Sequence, residues 1–135
     1  MIAFFMAMDP PTVTHQEKHV HVVNGKPVFY EPAELMNARK KLRAYLNRHK
    51  PKVKYDAPLE LTVKWCFPVT GRHKTGEYRT TKPDTDNLQK LLKDCMTDVG
   101  FWVDDARVCR EVVEKFWSDI PGIYVCIGEL KNGAE

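Results

Sequence analysis

Four aspartates and one lysine stand out in a short central stretch, "TTKPDTDNLQKLLKDCMTDVGFWVDDARV", residues 80 to 108. Asp84 and Asp86 lie just ahead of an amphipathic run, and Asp104 and Asp105 follow the turn after it. Singly, each has an ordinary explanation. Asp84 after Pro83 suits a helix N-cap, Asp86 suits the helix dipole, each worth roughly 0.5–1 kcal/mol, and Asp104-Asp105 suit a turn. Together they suggest chemistry. Carboxylates brought within ~4–6 Å repel one another unless a cation neutralises them. A hard divalent ion such as Mg²⁺ takes carboxylate oxygens, keeps several waters and offers open positions to phosphate. Lys90 lies one helical turn after Asp86, on the face opposite the apolar stripe. It is either half of a surface ion pair or a cation that stabilises charge developing on a phosphoryl group.

An EF-hand beginning at Asp84 is excluded: it needs an oxygen ligand, Gly and Glu where the chain has Leu88, Gln89 and Cys95. His15, His19 and His21 are spaced for zinc, but only Glu17 adds a ligand nearby, and alternation within a hairpin explains the run more simply. No P-loop, G-x-G-x-x-G or Ser/His/Asp pattern is present, so NTPase, dinucleotide and covalent-hydrolase chemistry have no support. Cys66, Cys95, Cys109 and Cys126 form no C-x-x-C pair and sit among apolar residues, as buried free thiols in a reducing compartment do.

The elements that must position these acids are legible as patterns. Leu88, Leu91, Leu92, Cys95, Met96 and Val99 recur at helical spacing, and Gly100 follows where a helix stops. Upstream, "PLELTVKWCFP" alternates as a half-buried strand, and residues 69 to 82 read as an exposed loop. Downstream, "ARVCREVVEKFW" and "GIYVCIGEL" read as two strands. "IAFFMAM" reads as a buried first strand, and "HVHVVNGKPVFYEP" as a hairpin turning at Asn24-Gly25. A helix then starts near Pro32, places Leu35, Ala38, Leu42, Tyr45 and Leu46 on one stripe and stops before Pro51. The order β, β-hairpin, α, β, α, β, β predicts helices packed on one mixed sheet, an α+β class, within a single domain over 1–135. Phe4, Trp102 and Trp117 are expected in its core. If the strand from Val108 lies beside the helix N-terminus, Asp104 and Asp105 come back near Asp84 and Asp86.

Charge points to the partner. The formal net charge is only +3, yet Arg39 to Lys54 carries eight Lys or Arg and no acid. Arg72, Lys74, Arg79 and Lys82 form a second basic stretch offset only by Glu77. Two such stretches beside an acidic cluster favour a polyanion. The apolar start is too short for a membrane span and lacks the marks of a signal peptide, so a cytoplasmic protein is expected, with no membrane partner.

"KPDTDNLQK", followed 14 residues after Lys90 by DD-x-x-V, resembles the signature of the RusA family of Holliday-junction resolvases. These are small, homodimeric, magnesium-dependent endodeoxyribonucleases of phage and prophage type, with a mixed α/β fold. The resemblance implies that Asp84, Asp86 and Asp105 bind Mg²⁺, for which Mn²⁺ can substitute, with Lys90 as catalytic lysine and Asn87 and Asp104 in support. It implies a branched, four-way DNA substrate in recombination and repair, and no nucleotide cofactor. Arg39, Lys40, Arg43, Arg72, Lys74, Arg79 and Lys82 are the expected DNA-backbone contacts. This chain departs from the family in having Pro83 directly before Asp84, with the basic residue one place earlier at Lys82. The rivals are a non-catalytic nucleic-acid-binding module with structural acidic caps, and a nuclease directed at RNA or other branched substrates.

Overall fold

The computed structural model describes residues 1–14, 19–30 and 33–132, and for the hairpin strands the backbone alone. Strand β4 (Leu59–Pro68) is an inner strand of the sheet, and its buried residues alternate strictly. Leu59, Leu61, Val63 and Trp65 are wholly buried on one face. The sheet has four strands in the order β1-β6-β4-β5, with β1 (Ile2–Met6), β5 (Val108–Ser118) and β6 (Gly122–Glu129). Both β1 and β4 run antiparallel to β6, whereas β4 and β5 are parallel. Helix α1 (Ala33–Asn47) and helix α2 (Thr85–Val99) contribute Leu35, Leu42, Leu46, Leu88, Leu91, Leu92, Cys95 and Met96 to the same core. Phe4, Trp102 and Trp117 belong to it, as their surroundings in the sequence predict. The element order and the α+β class agree with the sequence patterns.

Hairpin strands β2 (His19–Val23) and β3 (Lys26–Tyr30) pair antiparallel as a separate two-stranded sheet. Asn24 at φ 51° and Gly25 at φ 75° make the tight turn, a backbone that only such residues adopt cheaply. Residues 15 to 18, which include His15 and Glu17 of the histidine run, and Pro32 of the helix start lie outside the described residues.

Two expectations need correction. Strand β1 is half-buried: Phe4 and Met6 point inwards while Phe5 stays 40% exposed. It is an edge strand, and its inner face alone meets the core, so a run of apolar residues here does not mean burial on both sides. Of the four thiols only Cys95 is buried, and desolvation pushes it up to about 11. Cys109 is exposed, because the β4–β5 register steps from Leu59↔Val108 to Glu60↔Arg110 and leaves Cys109 without a partner. Among the described residues no helix is long and apolar enough to cross a membrane.

Candidate functional site

Asp84 occupies the N-cap position of α2 but its side chain makes no capping hydrogen bond. Its backbone is extended, with φ −75° and ψ 150°, and its carbonyl accepts from the Leu88 N–H at 3.1 Å, so the helix starts without using the carboxylate. The purely structural account of Asp84 loses its main support. Asp86, in the first turn, is exposed as well.

The segment before Asp84 is held from beneath. Lys115 Nζ donates to the carbonyls of Thr81 and Pro83, both at 2.8 Å. Arg79 Nη2 donates to the carbonyl of Lys82, and Arg79 Nε to Thr81 Oγ1 at 3.2 Å. The Arg79 guanidinium lies 4.3 Å from the Phe67 ring centroid and 4.7 Å from that of Trp117, so it is used within the fold. Burial lowers Arg79 from its ordinary value. The loop before it is less detached than its composition predicts. Gly76 N–H donates to Trp117 and Trp117 N–H to Glu77, both at 2.9 Å, and His73 stacks on Trp117.

Along α2, Asp86, Gln89, Lys90 and Lys93 share one side and, with Thr85, Glu111, Val113 and Asp105, border an open cleft of about 380 Å³. Its floor is a continuous polar chain. Trp65 Nε1 donates to buried Gln89 Oε1 at 2.7 Å, Gln89 Nε2 donates to Glu111 Oε2, and Lys93 Nζ donates to Glu111 Oε1 at 3.0 Å. Replacing Gln89 with Leu leaves the indole N–H buried without an acceptor and strips Glu111 of a donor. An unmade buried hydrogen bond costs roughly 1–3 kcal/mol. Chemical denaturation of Gln89→Leu should show a loss of about 2 kcal/mol.

The two aspartates after the turn divide their roles. Asp104 Oδ1 accepts from the Ala106 N–H at 2.8 Å and caps the single 3-10 turn at Asp105–Arg107. Asp105 borders both the α2 cleft and a second one, lined by Arg39, Asp94, Thr97, Asp98, Val103 and Asp104. Lys90 pairs forwards with Asp94 at 3.4 Å instead of back towards Asp86. Arg39 reaches the same Asp94 at 4.0 Å and Arg43 reaches Asp98 at 3.4 Å, so both arginines help join α1 to α2. Lys40, Arg72, Lys74 and Lys82 are exposed.

The acids do not all meet within one chain. Among the described residues no group of three or more His, Cys, Asp or Glu is close enough to share a metal ion. The topology explains why. Because β5 runs parallel to β4, α2 must carry the chain back along its length of 15 residues, about 22 Å. Strand β5 therefore begins towards the C-terminal end of the helix. Asp84 and Asp86 stand at the N-terminal end of α2, and Asp105 lies beside its C-terminal half, where Asp94, Thr97 and Asp98 border the same cleft. Within one chain the four aspartates do not gather into a single group, although Asp86 and Asp105 border one cleft.

Sequence reasoning missed Gln89, Glu111 and Lys115. The last two sit on the inner face of an edge strand, opposite Leu61 and Trp65 of β4, where the alternation leads one to expect apolar residues. Charges breaking the phase of "CREVVEKFW" were the available signal.

A one-sided mixed sheet whose crossover helix carries acids and lysines into an open, cation-flanked cleft has the make-up of a phosphate-handling enzyme domain. The family model described as endodeoxyribonuclease RusA matches residues 9–128, and the chain belongs to that family. It is 32% identical over 107 residues to the crossover junction endodeoxyribonuclease rusA of Lactococcus phage r1t, covering 78% of this chain and 80% of the relative. It is also 30% identical over 118 residues to the uncharacterized protein YqaN of Bacillus subtilis strain 168, covering 79% and 82%.

Proposed function

We propose that the chain is a magnesium-dependent endodeoxyribonuclease that cuts four-way DNA junctions in recombination and repair, working in the cytoplasm as a homodimer. One observation supports this above all: Asp86 and Lys90 line an open cleft beside an N-cap Asp84 whose carboxylate does not cap, in a chain of the RusA family. The donor set is all carboxylate oxygen, which fits Mg²⁺ or Mn²⁺ and suits zinc or copper poorly. Asp84, Asp86 and Asp105 are the ligands in this reading. Bound there, a divalent cation supplies Lewis-acid polarisation of the phosphate and an acidified water for attack.

With Asp84 and Asp86 at the N-terminal end of α2 and Asp105 beside its C-terminal half, a two-fold axis across the helix can bring each N-terminal pair to the partner's Asp105. A dimer then holds two sites, each built from both subunits, which suits paired cuts across a two-fold junction. Lys90 is held on the cleft wall by Asp94, within the field of any phosphate bound there. Asp104, by capping its turn, fixes the backbone from which Asp105 projects. The exposed Lys40, Arg72, Lys74 and Lys82 hold DNA phosphates, with Arg39, Arg43 and Arg79 shaping that surface from within. Junction affinity should fall at least about tenfold between 50 and 200 mM salt through counterion release. A non-catalytic binding module gives no reason for an N-cap aspartate that does not cap.

The test compares labelled four-way, flap and duplex DNA with and without Mg²⁺. Symmetric cuts confined to the junction, and lost on adding EDTA, are expected. Cutting of all three at similar rates would contradict junction selectivity, and cutting in EDTA would contradict the metal.

A further inference from the structure

Lys115 is an expensive residue for its place. It is half-buried on the inner face of β5, paired in register with Trp65, where an apolar side chain would pack without cost. An ammonium taken out of water must find partners for its donors. Here two of them go to the backbone of one short segment, at 2.8 Å each. Arg79 takes the carbonyl between them, so three successive carbonyls, Thr81, Lys82 and Pro83, all accept from cationic side chains. That segment belongs to neither helix nor strand, and these bonds account for its backbone acceptors.

The consequence falls on the next residue. A peptide unit is planar, so fixing the Pro83 carbonyl fixes the Asp84 nitrogen and Cα with it. On the other side the Asp84 carbonyl is tied to Leu88 N–H at 3.1 Å. Asp84 is thus pinned through its backbone from both sides while its carboxylate is spared from capping. Burial and the charge of Arg79 lower Lys115 from its ordinary value, and the carboxylate of Asp84 acts against them, which places the two charges within each other's field.

We propose that Lys115 is a positioning residue for the metal-binding acids: with Arg79 it grips the carbonyls of residues 81 to 83 and so sets where Asp84 presents its carboxylate. This rests on the reading of Asp84 as a metal ligand. Lys115 touches neither substrate nor metal in this role.

Mn²⁺ binding, followed by the electron-spin signal of the free ion, tests it on four proteins: wild type, Lys115→Met, Lys115→Gln and Asp84→Asn. Outer partners of metal ligands typically change affinity 10–100-fold, so both Lys115 variants should bind Mn²⁺ at least about tenfold more weakly. Junction binding in EDTA should stay within about threefold, since few phosphate contacts are altered. Hydrogen exchange should rise in peptides spanning 80 to 87 and not across the sheet. If Lys115→Met melts without cooperativity, Lys115→Gln, which keeps a donor for one carbonyl, decides. Wild-type Mn²⁺ affinity in the Lys115 variants, with weakened binding in Asp84→Asn, overturns the role of Lys115 alone. Wild-type affinity in Asp84→Asn overturns the metal site and this inference with it.

Discussion

Asp105→Asn protein should bind a four-way junction within about threefold of wild type and cut it at least about 10³-fold more slowly, as should Asp84→Asn. Removing a single preorganised charge-stabilising group costs about 10²–10³ in rate, and loss of a metal ligand removes more than one such effect. Neither change should disturb the fold. Asp84 makes no side-chain capping bond, and Asp105 is only partly buried in the 3-10 turn that Asp104 caps. Asp104→Asn, by contrast, keeps an acceptor for Ala106 N–H and should retain most activity. Gel-shift binding in Ca²⁺ and single-turnover cleavage in Mg²⁺ separate the two quantities. An Asp105→Asn protein that cuts at the wild-type rate would remove Asp105 from the site.

Lys90→Met carries the second large effect. In the structure Lys90 contributes an exposed i,i+4 pair with Asp94, worth roughly 0.3–0.5 kcal/mol. Its loss should therefore leave thermal stability nearly unchanged. As a cation facing the developing charge of a phosphoryl group, it should account for about 10²–10³ in the cleavage rate. The drop belongs in kcat under saturating junction, with KM moved only a few-fold, because an interaction strengthened in the transition state lowers kcat and kcat/KM together. A rise in KM with unchanged kcat would make Lys90 an ordinary phosphate contact. Lys93, tied to Glu111 at 3.0 Å, is the natural control: it lines the same cleft but is held to its floor.

Local pattern carried most of the fold and part of the site. The stripe of α2, the alternation of β4 and the Asn24-Gly25 turn each depend on neighbours within a few residues, so they can be read without knowing what packs where. Strand order cannot. Nothing local in Val108–Ser118 says that it pairs parallel to β4, yet that pairing decides at which end of α2 Asp105 lies. The same blindness hid β1 as an edge strand and Cys109 as an unpaired bulge residue. Glu111 and Lys115 were hidden differently. The partners of Glu111 are Gln89 and Lys93, 22 and 18 residues away, and those of Lys115 are the carbonyls of Thr81 and Pro83, 34 and 32 away; bonds across such spans leave no periodic trace. Arg79 was legible as a charge but not as a guanidinium lodged between Phe67 and Trp117.

The proposed dimeric site rests on a helix that sets Asp84 and Asp105 apart, and complementation measures that directly. Asp84→Asn and Asp105→Asn proteins, each inactive alone, are mixed, allowed to exchange subunits and assayed for junction nicking. In a mixed dimer with shared sites, one site receives both substitutions and the other receives neither. Random exchange makes half the dimers mixed, so nicking should return to about a quarter of the wild-type level, as single cuts without paired resolution. A mixture that exchanges subunits and stays inactive would mean that Asp84 and Asp105 of the same chain serve the same site, contrary to the separation that α2 imposes.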